Sequence, residues 1–333
     1  MYILSKKEIF MKRKTIGDVA KESGYSIATV SRVLNNGQWI TGKARKNVIA
    51  AARKIGYLQS YRTVAVILPS LLCIDSYSSG ILGELSSLLE SKGFLVEVIS
   101  LNSLNLLQEQ NFCGAISAVG DSGLERIWSD ELPLPLVCIN TKSWHFENIY
   151  SVASDDEQGM NLLTDHLLEL GHKRIGLLLW KKGVDNNMNF NRLSRVAAFQ
   201  KTMRDNGLPD DLLSYIQYFD EIDIALRRLL DQKVTAIITT AEGNEVRALY
   251  YLKQFGLRVP EDISLCGWLD SEFSRYSDPP ITGIEQNYKA IAQHAVDMLD
   301  KLMRKEPVHE DFMVGYTFHL RASCGVLKKR RKN

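Results

Sequence analysis

Apolar residues recur at helical spacing in three short segments near the start of the chain. In segment 15–22, Ile16, Val19 and Ala20 share one face. Thr15 stands at the capping position. Asp18, three residues on, is a shorter stand-in for the glutamate of a capping box. Gly24 marks a sharp turn. Ser26 then caps a second helix over 27–34, with Val30, Val33 and Leu34 inward, and Asn35-Asn36-Gly37 closes it. Thr41 opens a third helix ending near Ile55-Gly56, with Val48, Ala51, Ala52 and Ile55 inward. Two short helices around a glycine turn, completed by a third, are the pattern of a helix-turn-helix. On spacing alone, a generic three-helix bundle with a solvated charged face is the alternative.

From residue 64 the pattern changes to short apolar runs alternating with helical segments. Strands are predicted at 64–69, 94–100, 114–119, 136–139, 174–179, 236–239 and 263–267, and helices at 78–92, 161–170, 194–206 and 245–255. Such alternation predicts an α/β body with parallel sheets covered by helices on both faces. Two such units in tandem enclose a cleft.

Charge separates the two regions. The first sixty residues hold 12 Lys/Arg against 3 Asp/Glu, leaving 29 against 36 for the rest of a chain whose formal net charge is +2. A cationic end on a mildly acidic body points that end at a polyanion, with a solvated basic tail as the plainer alternative. The run Lys328-Lys329-Arg330-Arg331-Lys332 reads as a basic end, or as auxiliary nonspecific attraction to nucleic acid.

The five cysteines are scattered, with no CxxC and no Cys/His spacing suited to zinc. Cys113, Cys138 and Cys266 lie in or beside apolar runs, where a buried thiol is ordinary. Reduced thiols, a cytoplasmic protein, no metal and no cofactor are expected. The opening ten residues are too short and too charged for a secretory signal, and no run is long enough to span a membrane. Met11 is an alternative start.

The outward positions of the second helix are Ile27, Ala28, Thr29, Ser31 and Arg32. Such a helix fits a major groove about 12 Å wide. Arg32 can fork onto a guanine, whereas Ile27 and Ala28 offer apolar contact to thymine methyls. Thr29, Ser31 and Asn35, with Thr15 and Tyr25, can reach phosphates, and Lys43, Arg45 and Lys46 add sequence-independent attraction.

The run from Thr15 to Ala20, then Ser23-Gly24-Tyr25-Ser26, then Thr29-Val30-Ser31-Arg32-Val33-Leu34-Asn35 resembles the signature of the LacI/GalR family of bacterial regulators. The third helix fits through Lys43, Arg45, Val48, Ala51, Gly56 and Tyr57. The resemblance implies base reading by Ile27, Ala28 and Arg32, with Ser26 beside them at the helix start. It further implies a homodimer acting as a repressor on a near-palindromic double-stranded operator. One departure stands out. The family's hinge segment, whose leucine wedges into the minor groove, has no counterpart between Tyr57 and the strand at residue 64. A linker of 58–63 spans at most about 20 Å. It is too short for a helix and its connections, so operator bending is expected to be weaker than is usual in the family.

The resemblance continues through Leu170-Gly171-His172-Lys173-Arg174-Ile175, Val259-Pro260-Glu261-Asp262-Ile263 and Leu320-Arg321-Ala322-Ser323-Cys324. It implies a periplasmic-binding-protein-like body with two lobes, about 64–153 with 285–312 and about 154–284 with 313–328. With the helix-turn-helix domain at 11–57, these are the expected domains. His172 reads as a structural turn residue.

The resemblance implies a small carbohydrate-related effector between the lobes. Arg195 matches an arginine that usually contacts it, and a surface ion pair is the alternative. Tyr77, Asp155, Trp268, Leu269 and Asp270 complete the candidate set. Two usual polar contacts are missing, since Gly267-Trp268-Leu269-Asp270 replaces one carboxylate with Leu269, and Ala241-Glu242 stands where Asn-Asp is usual. A sugar hydroxyl buried without a partner costs roughly 1–3 kcal/mol. Three readings remain: a less hydroxylated effector lying on Trp268 and Leu269, an anionic one met by Lys181 and Lys182, or a cleft that no longer senses a small molecule.

Two other classes compete. An enzyme would need a motif such as a P-loop, GxSxG or HExxH, and none occurs. Asp155-Asp156 alone is no catalytic pair. A solute-binding protein of a transport system would share the body, but needs a signal peptide and no basic head.

Overall fold

The computed structural model describes residues 14–35, 40–57, 63–71, 76–109, 112–119, 134–141, 149–180, 190–207, 216–219, 221–240, 243–269, 272–308 and 312–327. Caps set the helices of the head: α1 (Ile16–Ser23), α2 (Ile27–Leu34) and α3 (Gly42–Lys54). Thr15 Oγ1 accepts from Asp18 N, while Asp18 Oδ2 accepts from Thr15 N at 2.8 Å, completing a capping box. Ser26 and Thr41 accept from Thr29 N and Ala44 N. Gly24 ends α1 at φ 72°, a left-handed position that suits glycine. Val19, Val30, Val33, Leu34, Val48, Ile49 and Ala52 close a core of their own.

The body begins with β1 (Thr63–Leu68), whose run Val-Ala-Val-Ile-Leu is apolar on both faces because both are covered. Val64, Val66 and Leu68 pack with Ile81, Leu85 and Leu89 of α4 (Ser76–Ser91). Ala65 and Ile67 point the other way, toward Ile99 of β2 (Leu95–Ser100) and Leu107 of α5 (Leu106–Glu109). Next come β3 (Gly114–Ser117), β4 (Leu136–Ile139), β5 (Ile149–Ser154), α6 (Asp156–Glu169), β6 (Ile175–Trp180) and α7 (Phe190–Asp205). They are followed by β7 (Ile216–Phe219), α8 (Ile222–Asp231), β8 (Ala236–Thr239), α9 (Asn244–Gln254), β9 (Ser264–Trp268) and α10 (Phe273–Tyr276). The last elements are β10 (Thr282–Glu285), α11 (Tyr288–Met303), β11 (Phe312–Val314) and β12 (Thr317–His319).

The strands form two six-stranded sheets, ordered β11-β5-β4-β3-β1-β2 and β12-β10-β9-β8-β6-β7. Every neighbour pair is parallel except β10 with β12. This is the α/β architecture that alternation predicts. The chain passes between the sheets after β5, after β10, and between Val314 and Thr317. β11 thus carries the first sheet through Val314, two residues past the expected lobe limit at 312. The helix expected at 161–170 starts five residues earlier, at Asp156, because Asp155 caps it. Among the described residues no helix is long and apolar enough to cross a membrane, and no group of metal-binding side chains is gathered.

Candidate functional site

Two regions hold the candidate residues. In the head, the core turns one side of α2 inward and leaves the other to solvent. Ile27 is 57% exposed, and Ala28, Arg32 and Asn35 are exposed beside it. Several polar candidates already have local roles. Thr15 serves the capping box, Ser26 caps α2 and meets Thr29 Oγ1 at 2.9 Å, and Asn35 donates to Ser31 Oγ at 3.4 Å. Tyr25 is half-buried against the head core, and its hydroxyl accepts from Asn47 at 3.5 Å. Lys43 and Lys46 are exposed and Arg45 half-buried on α3. The head also meets the body. Arg53, in the last turn of α3, donates to Leu107 O on α5 at 2.8 Å. Burial there holds its guanidinium down at about 10.

The body candidates fall into two clusters near the crossings. The first centres on Asn140, directly after β4, in the left-handed region at φ 54°. Its amide donates to Tyr77 Oη at 2.9 Å and to Gln286 Oε1 at 2.8 Å, and its Oδ1 accepts from Ser154 N. Ser154 Oγ donates to Gln286 Oε1 as well, so the first two crossings are bonded to each other. Tyr77 packs edge-on against Tyr288.

The second cluster holds Arg195. Its Nε donates to Asp156 Oδ1 at 2.9 Å, and its guanidinium lies 4.3 Å from the centroid of the Trp268 ring. Tyr316, at the third crossing, donates from Oη to the same Asp156 oxygen at 2.7 Å and accepts from Trp268 Nε1 at 3.1 Å. Burial pushes the Asp156 carboxyl above its usual range, opposed by Arg195 and the Tyr316 hydroxyl. The same burial, with the Asp156 charge beside it, drives the Tyr316 phenol well up. Gln158 clasps this crossing, accepting from Tyr316 N at 2.8 Å, and Asp155 N donates to Val314 O. Gly159 makes room, since a Cβ there would come 2.7 Å from the Tyr316 ring.

The structure joins Arg195 with Trp268 and puts Tyr77 and Asp155 elsewhere. Asp155 caps α6, its Oδ1 accepting from Gln158 N at 2.9 Å. Trp268 is fully buried and Leu269 is 4% exposed, so neither offers the apolar surface expected of them. The Arg195 ion pair is buried rather than on the surface, with 12% and 3% of the two side chains exposed. Asp270, Ala241-Glu242, Lys181-Lys182, the linker 58–62, the first thirteen residues and the basic tail lie outside the described residues. The sequence reading missed Asn140, Ser154, Asp156, Gln158, Gln286 and Tyr316. Only Asp156 carried a signal, as the residue after a capping aspartate. His172 is buried between Thr235 Oγ1 and Gly325 O, each at 2.9 Å, a structural role.

Residues 15–60 match the model described as bacterial regulatory proteins, lacI family, and residues 164–324 that of a periplasmic binding protein-like domain. The transcriptional regulator DegA of Bacillus subtilis is 27% identical over 83% of this chain and 88% of its own length. The transcriptional repressor CytR of Escherichia coli is 28% identical over 88% and 91%. Solved structures agree in fold. A CelR–cellobiose complex superposes with a TM-score of 0.69 at 23% identity, covering 93% of this chain and all of that one. The Lac repressor dimer bound to operator and an anti-inducer does so at 0.66 and 22%, over 94% of this chain and all of its own. The relatives are transcriptional regulators, not enzymes. Residues 15–60 are a lacI-family DNA-binding helix-turn-helix head and residues 164–324 lie in a periplasmic-binding-protein-like body, the make-up of the transcriptional regulators that the chain resembles.

Proposed function

We propose that the protein is a repressor that binds a near-palindromic operator as a homodimer and responds to a carbohydrate-related effector between its lobes. One observation carries the reading: α2 turns Ile27, Ala28 and Arg32 outward from a sealed core, within a first sixty residues that hold 12 Lys/Arg against 3 Asp/Glu. Ile27 and Ala28 suit thymine methyls and Arg32 suits guanine. Lys43 and Lys46 add sequence-independent attraction to phosphate. Selection of bound duplexes from a random pool tests it. A two-fold-related consensus is the expected result, and no enrichment at moderate salt refutes it.

Dimerisation draws support from Tyr250 on α9 and from Phe273 and Tyr276 on the adjoining α10, which are 57%, 69% and 73% exposed. Light scattering on the purified protein gives twice the chain mass if this holds. The effector reading rests on Arg195 and on the relative solved with cellobiose. Burial of Trp268 and Leu269 removes the support for an apolar effector lying on them. The Arg195 guanidinium offers donors only, which favours an effector carrying acceptor oxygens. Calorimetry against sugars, sugar phosphates and nucleosides decides. Tight binding of an unmodified hexose contradicts the depleted pocket, and silence across the panel leaves a regulator without this kind of effector. Operator bending in a gel assay is expected to be shallow, and a sharp central kink refutes that part.

A further inference from the structure

The head and the α5 side of the first lobe are closed by separate cores. Val19, Val30 and Val48 belong to the one, and Ala65, Ile67, Ile99, Leu107 and Phe112 to the other. The two parts meet where the end of α3 packs against α5. At that seam the Arg53 guanidinium donates from Nη2 to Leu107 O at 2.8 Å, from 54 positions away in the chain. Lys54, the next residue, pairs inside the head, with Glu22 Oε1 on α1 at 2.7 Å. Two successive cations therefore hold the end of α3 from two sides, one to the head and one to the body.

We propose that the end of α3 and α5 form an intramolecular docking surface, on which Arg53 is the positioning residue that orients the reading helix α2 for the operator. α5 has only four residues, so its carbonyls fall where intrahelical donors run out, and Leu107 O takes a donor from the head. A guanidinium leaves water only where its donors are met, and burial is what lowers this one to about 10. Lys43 and Lys46, on the same helix, stay exposed. Arg53 thus faces the lobe where they face solvent. The linker 58–63 has no length for a helix and its connections, so the orientation of the head has to come from a contact of this kind.

Leu107 ties the docking point to the first sheet, since its side chain packs with Ala65 and Ile67 of β1. A head held in one orientation gives up little rotational freedom on meeting DNA. Docking therefore raises operator affinity without touching a phosphate or a base. This role presupposes the operator reading proposed above; docking itself does not.

The test uses the full chain. Nuclear spin relaxation of the head amides, without DNA, is expected to report the tumbling of the whole protein. In Arg53→Ala these amides keep their chemical-shift dispersion, since the apolar head core closes without Arg53, but they tumble faster than the body. Losing a hydrogen bond from a charged donor shifts the docking equilibrium by roughly 10- to 150-fold. Operator affinity follows the docked fraction and is expected to fall about tenfold. The slope of affinity against salt stays where it is, because that slope counts phosphate contacts. Lys54→Ala, which breaks a pair inside the head, leaves the tumbling unchanged. A head that tumbles on its own in the wild type, or with the body in Arg53→Ala, overturns the proposal. So does an operator affinity that Arg53→Ala leaves unchanged, or an equal gain in mobility from Lys54→Ala. A salt slope lowered by about 0.9 in Arg53→Ala also overturns it, since Arg53 is then a phosphate contact. Relaxation needs no operator, so a failure of docking and a failure of the operator reading are told apart.

Discussion

The head and the interlobe clusters spend their polar side chains differently. In the head, most side-chain hydrogen bonds close over three or four residues, as in Thr15 with Asp18, Ser26 with Thr29 and Ser31 with Asn35. They satisfy helix ends and leave the outer face of α2 to solvent. In the body the partners are far apart in sequence. Asn140 and Gln286 are separated by 146 residues, Gln158 and Tyr316 by 158, and Asp156 and Tyr316 by 160. These groups satisfy one another across the crossings. A surface built from local bonds is ready to meet a rigid partner. A site built from distant bonds must exchange internal contacts for a ligand's.

The largest test of this contrast is Asp156→Ala. It leaves Arg195 buried without its carboxylate, so chemical denaturation should show a loss of about 3–5 kcal/mol. An unchanged midpoint means that the body's polar groups do not hold one another. Next comes Arg32→Ala, which should weaken operator binding by about 1–3 kcal/mol, roughly 5- to 150-fold, and relax one base position. Fluorescence anisotropy reads the binding, and an unchanged denaturation midpoint shows no loss of stability alongside it. Smaller again is Ser26→Ala, which removes a local cap at a cost of about 1 kcal/mol. Faster hydrogen exchange confined to the first turn of α2 is the expected signature; exchange spreading into the body breaks the claim of locality.

The smallest effect concerns pH. Burial holds the His172 imidazole below its usual value, neutral between Thr235 and Gly325. A depressed base contributes its full stability above its unfolded value of about 6.5, and that stability is lost as pH falls toward the folded value. His172→Gln should flatten the decline seen in denaturation midpoints between about pH 7.5 and about pH 5.5. A wild-type curve already flat over that window removes the histidine from the account.

The same division decides what was legible in the sequence. Ile27–Leu34 could be bounded to the residue because Ser26 and the turn at Gly24 are local instructions. The sheets followed from apolar runs such as Val64 to Leu68, which need only a cover on each face. The interlobe clusters did not follow. Asp155 and Asp156 look alike in sequence, yet one caps α6 and the other turns inward to an arginine 39 residues away. Trp268 has the chemistry of a ligand platform, yet the Arg195 guanidinium and the return of the chain at Tyr316 cover it. Neither pairing leaves a spacing that a linear pattern can reveal.

The grip of Arg53 on Leu107 bears on how the protein finds its target. A head pinned to its own lobe moves with it, like a blade on a handle rather than a weight on a string. In a two-fold assembly, the gap between the two reading helices then follows from the shape of the bodies. For the dimer proposed above, the expected outcome is sharp rejection of spacers of the wrong length between operator half-sites, measured by binding to duplexes of varied spacing.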